Sequence, residues 1–165
     1  MATFRTAEIV SILGVTARML DRWVSAGVVA PSVQSPPGSG VDRVFSFQDL
    51  IAVAVVAKLR SLGVSLDGMR PTVAHLSTLA FHERGEAKVD YLVCFSKGEV
   101  LALKVEEVLE AIEKRRGQNV ILVDLAEIFV DLQGASMEVA LGRTRSKIPR
   151  KRTAGEKPRR RPRPG

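Results

Sequence analysis

The segment TAEIVSILGVTARMLDRWVSAG, residues 6–27, constrains the fold of this chain more than any other stretch. Its first half carries apolar residues at the three- and four-residue spacing of one helix face, at Ile9, Ile12 and Leu13. Gly14 follows, where a helix that ends needs a residue tolerant of positive φ. The pattern predicts a short helix, capped by Thr6, and then a tight turn.

A second short helix is predicted over residues 17–26. Thr16 precedes it and has the hydroxyl of an N-cap, which accepts a hydrogen bond from a free backbone N–H. Its apolar stripe consists of Leu20, Trp23 and Val24, and we expect Trp23 in the core. The opposite face is small, polar and basic and consists of Ala17, Arg18, Asp21, Arg22 and Ser25. This is the helix-turn-helix pattern, whose second helix enters the major groove of DNA.

The residues that follow narrow the prediction. In order, the chain reads TAEIV, LGVT at the turn, RWVSAG, a Pro- and Gly-rich loop over 31–40, RVFS, an apolar helix over 47–61 beginning FQDL, and LGVSL. This order resembles the winged helix-turn-helix of MerR-type regulators, over residues 4–70. The resemblance implies double-stranded DNA as partner and a wing between strands near Val28–Val29 and Val44–Phe45.

Asp21 and Phe45 depart from the pattern of the family, and Arg43 is expected in the wing. Asp21 stands where family members carry arginine, so we expect it to accept from a cytosine amino group or to pair with Arg18 or Arg22. Phe45 replaces a tyrosine of the wing. Arg43 sits where the wing returns along the DNA, and it either contacts phosphate or is merely solvated. The long coiled-coil helix that usually follows the family's DNA-binding part is absent.

The net charge of +7 is unevenly distributed. Residues 143–165 hold eleven Lys and Arg and one Glu, a net +10, so the other 142 residues carry −3. With so few apolar residues, this tail is predicted to be disordered. It is either an electrostatic arm for DNA or a solvated tail with weak affinity for RNA or membrane surfaces. The full set of predicted DNA-binding residues is Thr16, Ala17, Arg18, Asp21, Arg22, Arg43, Arg150, Lys151, Arg152, Arg159, Arg160 and Arg161.

Beyond residue 84 the periodicity changes. The runs VDYLVCF and EVLALKV predict a hairpin, residues 105–116 a helix, 119–124 a strand and 125–132 a last short helix. The fold class is therefore mainly α with small β: a winged helix-turn-helix domain over 1–84, an α+β unit of order β-β-α-β-α over 86–134, and a tail over 143–165. No family is recognised in the α+β unit, which is either a dimerisation module or a sensor. Open sheet edges favour self-association.

Several classes of protein are excluded by what the sequence lacks. No run of about 18 apolar residues predicts a membrane span, and the N-terminus has no secretory design, so we expect a cytoplasmic, nucleoid-associated protein without a membrane partner. Cys94 is a lone cysteine, and His75 and His82 are not spaced as zinc ligands, so we expect no metal and no cofactor. Nothing arranges a nucleophile beside a base, and we expect no enzyme.

The leading hypothesis is a dimeric, MerR-like transcriptional regulator that binds DNA sequence-specifically. Its operator and any small-molecule or protein effector are unknown. One alternative is an architectural, excision or partition factor of a phage or mobile element. Another is a protein-interaction adaptor that is tethered to DNA by its first domain.

Overall fold

The chain contains six helices and two small antiparallel sheets in a computed structural model that describes residues 2–34, 43–82, 85 and 88–142. The helices are α1 (Thr6–Leu13), α2 (Ala17–Ser25), α3 (Phe47–Ser61), α4 (Arg70–Thr78), α5 (Val105–Glu113) and α6 (Leu125–Ala140). The strands are β1 (Thr3–Arg5), β2 (Val44–Ser46), β3 (Tyr91–Phe95), β4 (Val100–Leu103) and β5 (Val120–Asp124). The predicted class, mainly α with small β, is confirmed.

The two helices around the first turn form where the sequence predicts them. Gly14 ends α1 with φ 65°, and its N–H donates to the carbonyl of Val10. Thr16 caps α2, since its Oγ1 accepts from the N–H of Met19 at 3.1 Å. The expected cap of α1 is displaced by one residue: Thr6 is already helical, and the N–H of the preceding residue donates to the Glu8 carboxylate at 2.7 Å.

The first sheet differs from the predicted wing. β2 pairs antiparallel with β1, and Phe4 lies opposite Phe45, both fully buried. The prediction of a strand at Val28–Val29 is wrong. The backbone N–H groups of both residues donate to the carbonyl of Trp23 and so form the C-terminal end of α2. Val44 instead forms an isolated bridge with Gln34. Residues 35–42, the middle of the predicted wing loop, lie outside the described residues, so the wing itself stays a prediction.

Helix α3 is the centre of the core. A capping box begins it, in which Ser46 Oγ accepts from the N–H of Asp49 and the Asp49 carboxylate accepts from the N–H of Ser46. Eight of its residues are buried, which explains why its central residues 51–57 are apolar all round. α6 packs against it, with Phe129 edge-on to Phe47 at 5.7 Å between ring centroids.

The second sheet has the order β4-β3-β5, with antiparallel neighbours, and α5 connects β4 to β5. The predicted element order β-β-α-β-α is therefore present. One sheet face joins the main core through Leu92 and Val123, which are fully buried. The last helix is longer than predicted, because α6 continues past residue 132 to Ala140. The division at residue 84 stays a prediction, although one hydrophobic cluster includes residues from both sides of it.

Within the part of the chain that the structure describes, no helix is both long and apolar enough to span a bilayer. The basic segment 143–165 and its predicted DNA-binding residues lie outside the described residues.

Candidate nucleic-acid interface

The outward face of α2 brings together five of the residues predicted to bind DNA. The inward face of α2 packs into the core through Leu20 and Trp23, which are fully or almost fully buried, as predicted for Trp23. The outward side chains are all exposed to solvent: Thr16, Ala17, Arg18, Asp21 and Arg22. The helix is therefore held from behind and presents one polar, largely cationic surface.

Arg18 and Arg22 are four residues apart, so their side chains lie on the same side of α2. Both are exposed. Neither side chain has a hydrogen-bond or ion-pair partner among residues 2–34, 43–82, 85 and 88–142. Their guanidinium groups keep all their donors, which is the state needed for bidentate contacts to guanine or to phosphate.

Asp21 pairs with a residue outside its own helix. Arg43 Nη1 donates to Asp21 Oδ1 at 2.7 Å. The sequence suggested Arg18 or Arg22 as the protein partner of this carboxylate, so the observed partner differs. Arg43 is only 24% exposed whereas Asp21 is 60% exposed, and the ion pair therefore holds the arginine against α2.

Arg70, at the start of α4, holds the C-terminal end of α2 and was not predicted from the sequence. Its Nη2 donates to the carbonyl of Ala26 at 2.7 Å, and its Nη1 lies 3.4 Å from the carbonyl of Gly27. The carbonyls at a helix C-terminus lack intrahelical partners, and a guanidinium satisfies them well. The only local signal was a basic residue after LGVSL, and nothing in the sequence joins it to a helix 44 residues earlier.

The base of the predicted wing is anchored to α3. The N–H and Oγ of Ser32 donate to Asp49 Oδ2 at 2.8 Å and 2.7 Å. The same carboxylate caps α3, so one side chain both begins the central helix and holds the segment that leaves α2. Gly27, with φ 65°, makes the turn between them. The C-terminal end of α2 and the segment that leaves it are thus held by α4 and α3.

The remaining candidates for chemistry lie apart from this surface. Cys94 is in β3, and its Sγ is 3.4 Å from Thr72 Oγ1; burial raises the pKa of its thiol. Among the described residues, no three His, Cys, Asp or Glu side chains are grouped so that they could hold a metal ion.

Comparison with known proteins agrees with this geometry. The family model described as "MerR HTH family regulatory protein" matches residues 4–76. This part of the chain belongs to the MerR family. The match begins in β1 and ends within α4, so it includes α2 and every element that holds it.

Curated relatives match beyond the MerR domain. Uncharacterized HTH-type transcriptional regulators of Mycobacterium bovis and Mycobacterium tuberculosis are 30% identical over 138 residues. The match covers 79% of this chain and 59% of each relative, so the chain spans about three fifths of their length. Because the match to these relatives covers more of the chain than the family model does, it extends into the second half of the chain.

Proposed function

We propose that this chain is a transcriptional regulator, not an enzyme, that binds double-stranded DNA sequence-specifically by placing α2 in the major groove. The observation that carries the proposal is the exposed face of α2, with Arg18 and Arg22 unpaired among the described residues and Trp23 buried behind it. An α-helix with its side chains is about 10–12 Å in diameter, which fits a major groove about 12 Å wide. The MerR family match and the names of the relatives support the same assignment.

The proposed contacts divide into base contacts and phosphate contacts. The N-terminal residues of a recognition helix meet base edges. Thr16, Ala17, Arg18, Asp21 and Arg22 would therefore read sequence. Arg43 and the basic residues of the tail, Arg150, Lys151, Arg152, Arg159, Arg160 and Arg161, would bind phosphate, which raises affinity on every sequence.

We further propose that the regulator acts as a homodimer on a two-fold symmetric site. A single recognition helix reads only a few base pairs, and two copies on half-sites one or two helical turns apart double that information. Footprinting on sites selected from random DNA tests this, and paired protection with two-fold symmetry is the expected result. A single asymmetric half-site would reject the dimer. Directly repeated half-sites coated by filaments would instead favour the architectural role.

Substitution of Arg22 tests the recognition helix. Arg22→Ala should weaken binding to the selected site by ~1–3 kcal/mol, roughly 5- to 150-fold, if it contacts a base. Arg116→Ala is the matched control, because Arg116 is also exposed and lies in the other half of the chain. Equal effects of the two variants, measured by fluorescence anisotropy at one salt concentration, would show that only net charge matters and that α2 does not read sequence.

A further inference from the structure

The strand β5 lies at one edge of the second sheet. Among the described residues, the order β4-β3-β5 leaves one side of β5 without a neighbouring strand, while α4 packs against β4 at the far side of the sheet. An unpaired edge presents a row of backbone donors and acceptors that pairs readily with another strand. The unpaired side of β5 is called the free edge below.

The ladder between β3 and β5 shows which backbone groups point to the free edge. The N–H of Ser96 donates to the carbonyl of Asn119 at 3.0 Å, and the N–H of Leu125 donates to the carbonyl of Asp90 at 2.8 Å. Residues 119 and 125 therefore face β3, and in an antiparallel ladder this direction alternates along the strand. Three residues of β5 consequently direct their backbone N–H groups toward the free edge: Val120, Leu122 and Asp124.

Leu122 stands at the centre of this edge and between two clefts. Its side chain is 45% exposed, which is high for a leucine in the middle of a sheet strand. On one side it lines a cleft of about 310 Å³ with α5, whose walls include Val105 and Leu109. On the other side it lines a cleft of about 440 Å³ with α1, α3 and α6. The free edge is therefore open on both faces of the sheet.

Two apolar side chains of α5 extend this surface. Val105 is 54% exposed and Leu109 is 67% exposed, and both border the first cleft. α5 covers one face of β3 and β4 and leaves the same face of β5 uncovered around Leu122. The exposed surface thus consists of the free edge of β5 and of an apolar groove beside it, on the face of the sheet that carries α5.

We propose that a second copy of this chain occupies the free edge, with the two β5 strands antiparallel and Leu122 on the two-fold axis. Leu122 then lies opposite its own copy, and Val120 lies opposite Asp124 of the second copy. The N–H groups that point outward meet carbonyls that point outward, and the two three-stranded sheets become one sheet of six strands. This inference rests on the proposed dimeric function and assigns the surface that forms the dimer.

The same two-fold axis also fills the groove. Because the combined sheet is continuous, both α5 helices lie on one of its faces, side by side across the axis. Val105 and Leu109 of each copy are then placed over the groove beside Leu122 of the other. One arrangement therefore pairs the backbone and covers the most exposed apolar side chains of α5.

The size of the contact predicts a reversible dimer. Five residues at ~3.4 Å each make an edge of roughly 17 Å, and three layers of ~10 Å each give roughly 500 Å² per partner. A stable complex buries about 800 Å² per partner, so the free dimer should dissociate at micromolar concentration. On DNA with two half-sites the second contact becomes intramolecular, and the same weak surface suffices.

Disulfide trapping tests the register directly. In a Cys94→Ser background, Leu122→Cys places two cysteines about 5.5 Å apart between Cα atoms, within the range of a disulfide. Val120→Cys is the matched control on the same strand, since its two copies would be about 14 Å apart. We expect oxidation to yield a covalent dimer with Leu122→Cys and not with Val120→Cys. Equal trapping of both, or of neither, overturns the proposal.

Sedimentation of the full chain provides the second measurement. The average mass of the unmodified chain should rise from one copy toward two over the micromolar range, whereas Leu122→Lys should remain a single copy. Met137→Lys is the control, because Met137 is 64% exposed on α6 and lines neither of the two clefts beside Leu122. A Leu122→Lys variant that dimerises normally, or an unmodified chain that stays a single copy at several hundred micromolar, contradicts the proposal.

Binding to a single half-site separates this inference from the proposed function. Leu122→Lys should bind one half-site as tightly as the unmodified chain and lose affinity only for paired half-sites. If no variant binds DNA, the proposed function fails while trapping still decides the dimer surface. If Leu122→Lys protects a symmetric site normally, the function stands and the surface assignment fails.

Discussion

The ion pair between Asp21 and Arg43 gives the sharpest prediction about the DNA-binding surface. It places a carboxylate on the proposed reading face and holds Arg43, which is predicted to belong to the wing, against α2 rather than extended toward phosphate. We expect Asp21→Asn to release Arg43 and to tighten binding to random-sequence DNA. Random DNA is the right probe because any base contact of Asp21 is averaged out, so that only the phosphate contacts are measured.

The magnitude follows from the exposure of the pair. With Asp21 60% and Arg43 24% exposed, the pair belongs with solvent-accessible ion pairs, which contribute ~0.2–1 kcal/mol. Removing this restraint should tighten binding by at most about fivefold at low salt. If Arg43 gains one phosphate contact, the slope of log K against log salt should become steeper by up to about 0.9.

The assay is a salt titration by fluorescence anisotropy. Glu99→Gln is the matched control, because it also removes one exposed carboxylate paired with an arginine, Arg115, in the other half of the chain. If Asp21→Asn weakened binding to random DNA, Asp21 would orient Arg43 rather than restrain it. An unchanged slope with unchanged affinity would mean that Arg43 does not reach phosphate, and our interpretation of the pair would be wrong.

Three further predictions concern the tail, the core and pH. Deleting residues 143–165 should lower affinity on all sequences alike and flatten the salt slope, and a loss confined to the selected site would contradict the role of an electrostatic arm. Phe129→Ala should cost ~3–5 kcal/mol in urea unfolding, with both halves of the chain unfolding in one transition because Phe129 packs on Phe47; two separate transitions would contradict a shared core. The N–H of Val105 donates to Asp90 and, with Lys104, lowers the pKa of that carboxyl. The ionised carboxylate of Asp90 should therefore stabilise the fold fully above its unfolded-state pKa, and this stabilisation should be lost as pH falls through the lower folded-state pKa. Asp90→Asn should remove this acid dependence in thermal melts.

The elements that could be predicted from sequence are those whose signals are local. Gly14 and Thr16 mark the turn between α1 and α2 by their own backbone and side-chain chemistry, and both act as expected. Val28 and Val29 misled because β-branched residues favour strands, whereas here their N–H groups complete the end of α2. The last helix was predicted to end at residue 132, but it continues through Gly134 to Ala140, because packing against α3 outweighs the low helix propensity of glycine.

The contacts that hold the candidate site could not be predicted, because they join residues far apart in the chain. Asp21 meets Arg43 across 22 residues, and Arg70 reaches the end of α2 across 44. Periodicity identifies which face of a helix is exposed, but it does not identify which distant side chain arrives there. The basic face of α2 was therefore predictable, whereas the distant residues that contact that face and its C-terminal end were not.

The edge-on contact between Phe47 and Phe129 affects how this protein can be divided. α3 begins with a residue of the MerR part and is covered by a helix from the other end of the chain, so neither half carries a complete interior. A fragment that stops at residue 84 would expose the surface of α3 that α6 covers, and we expect it to aggregate. The DNA-binding part is therefore not a transplantable module, and any change to its specificity has to be made within the intact chain.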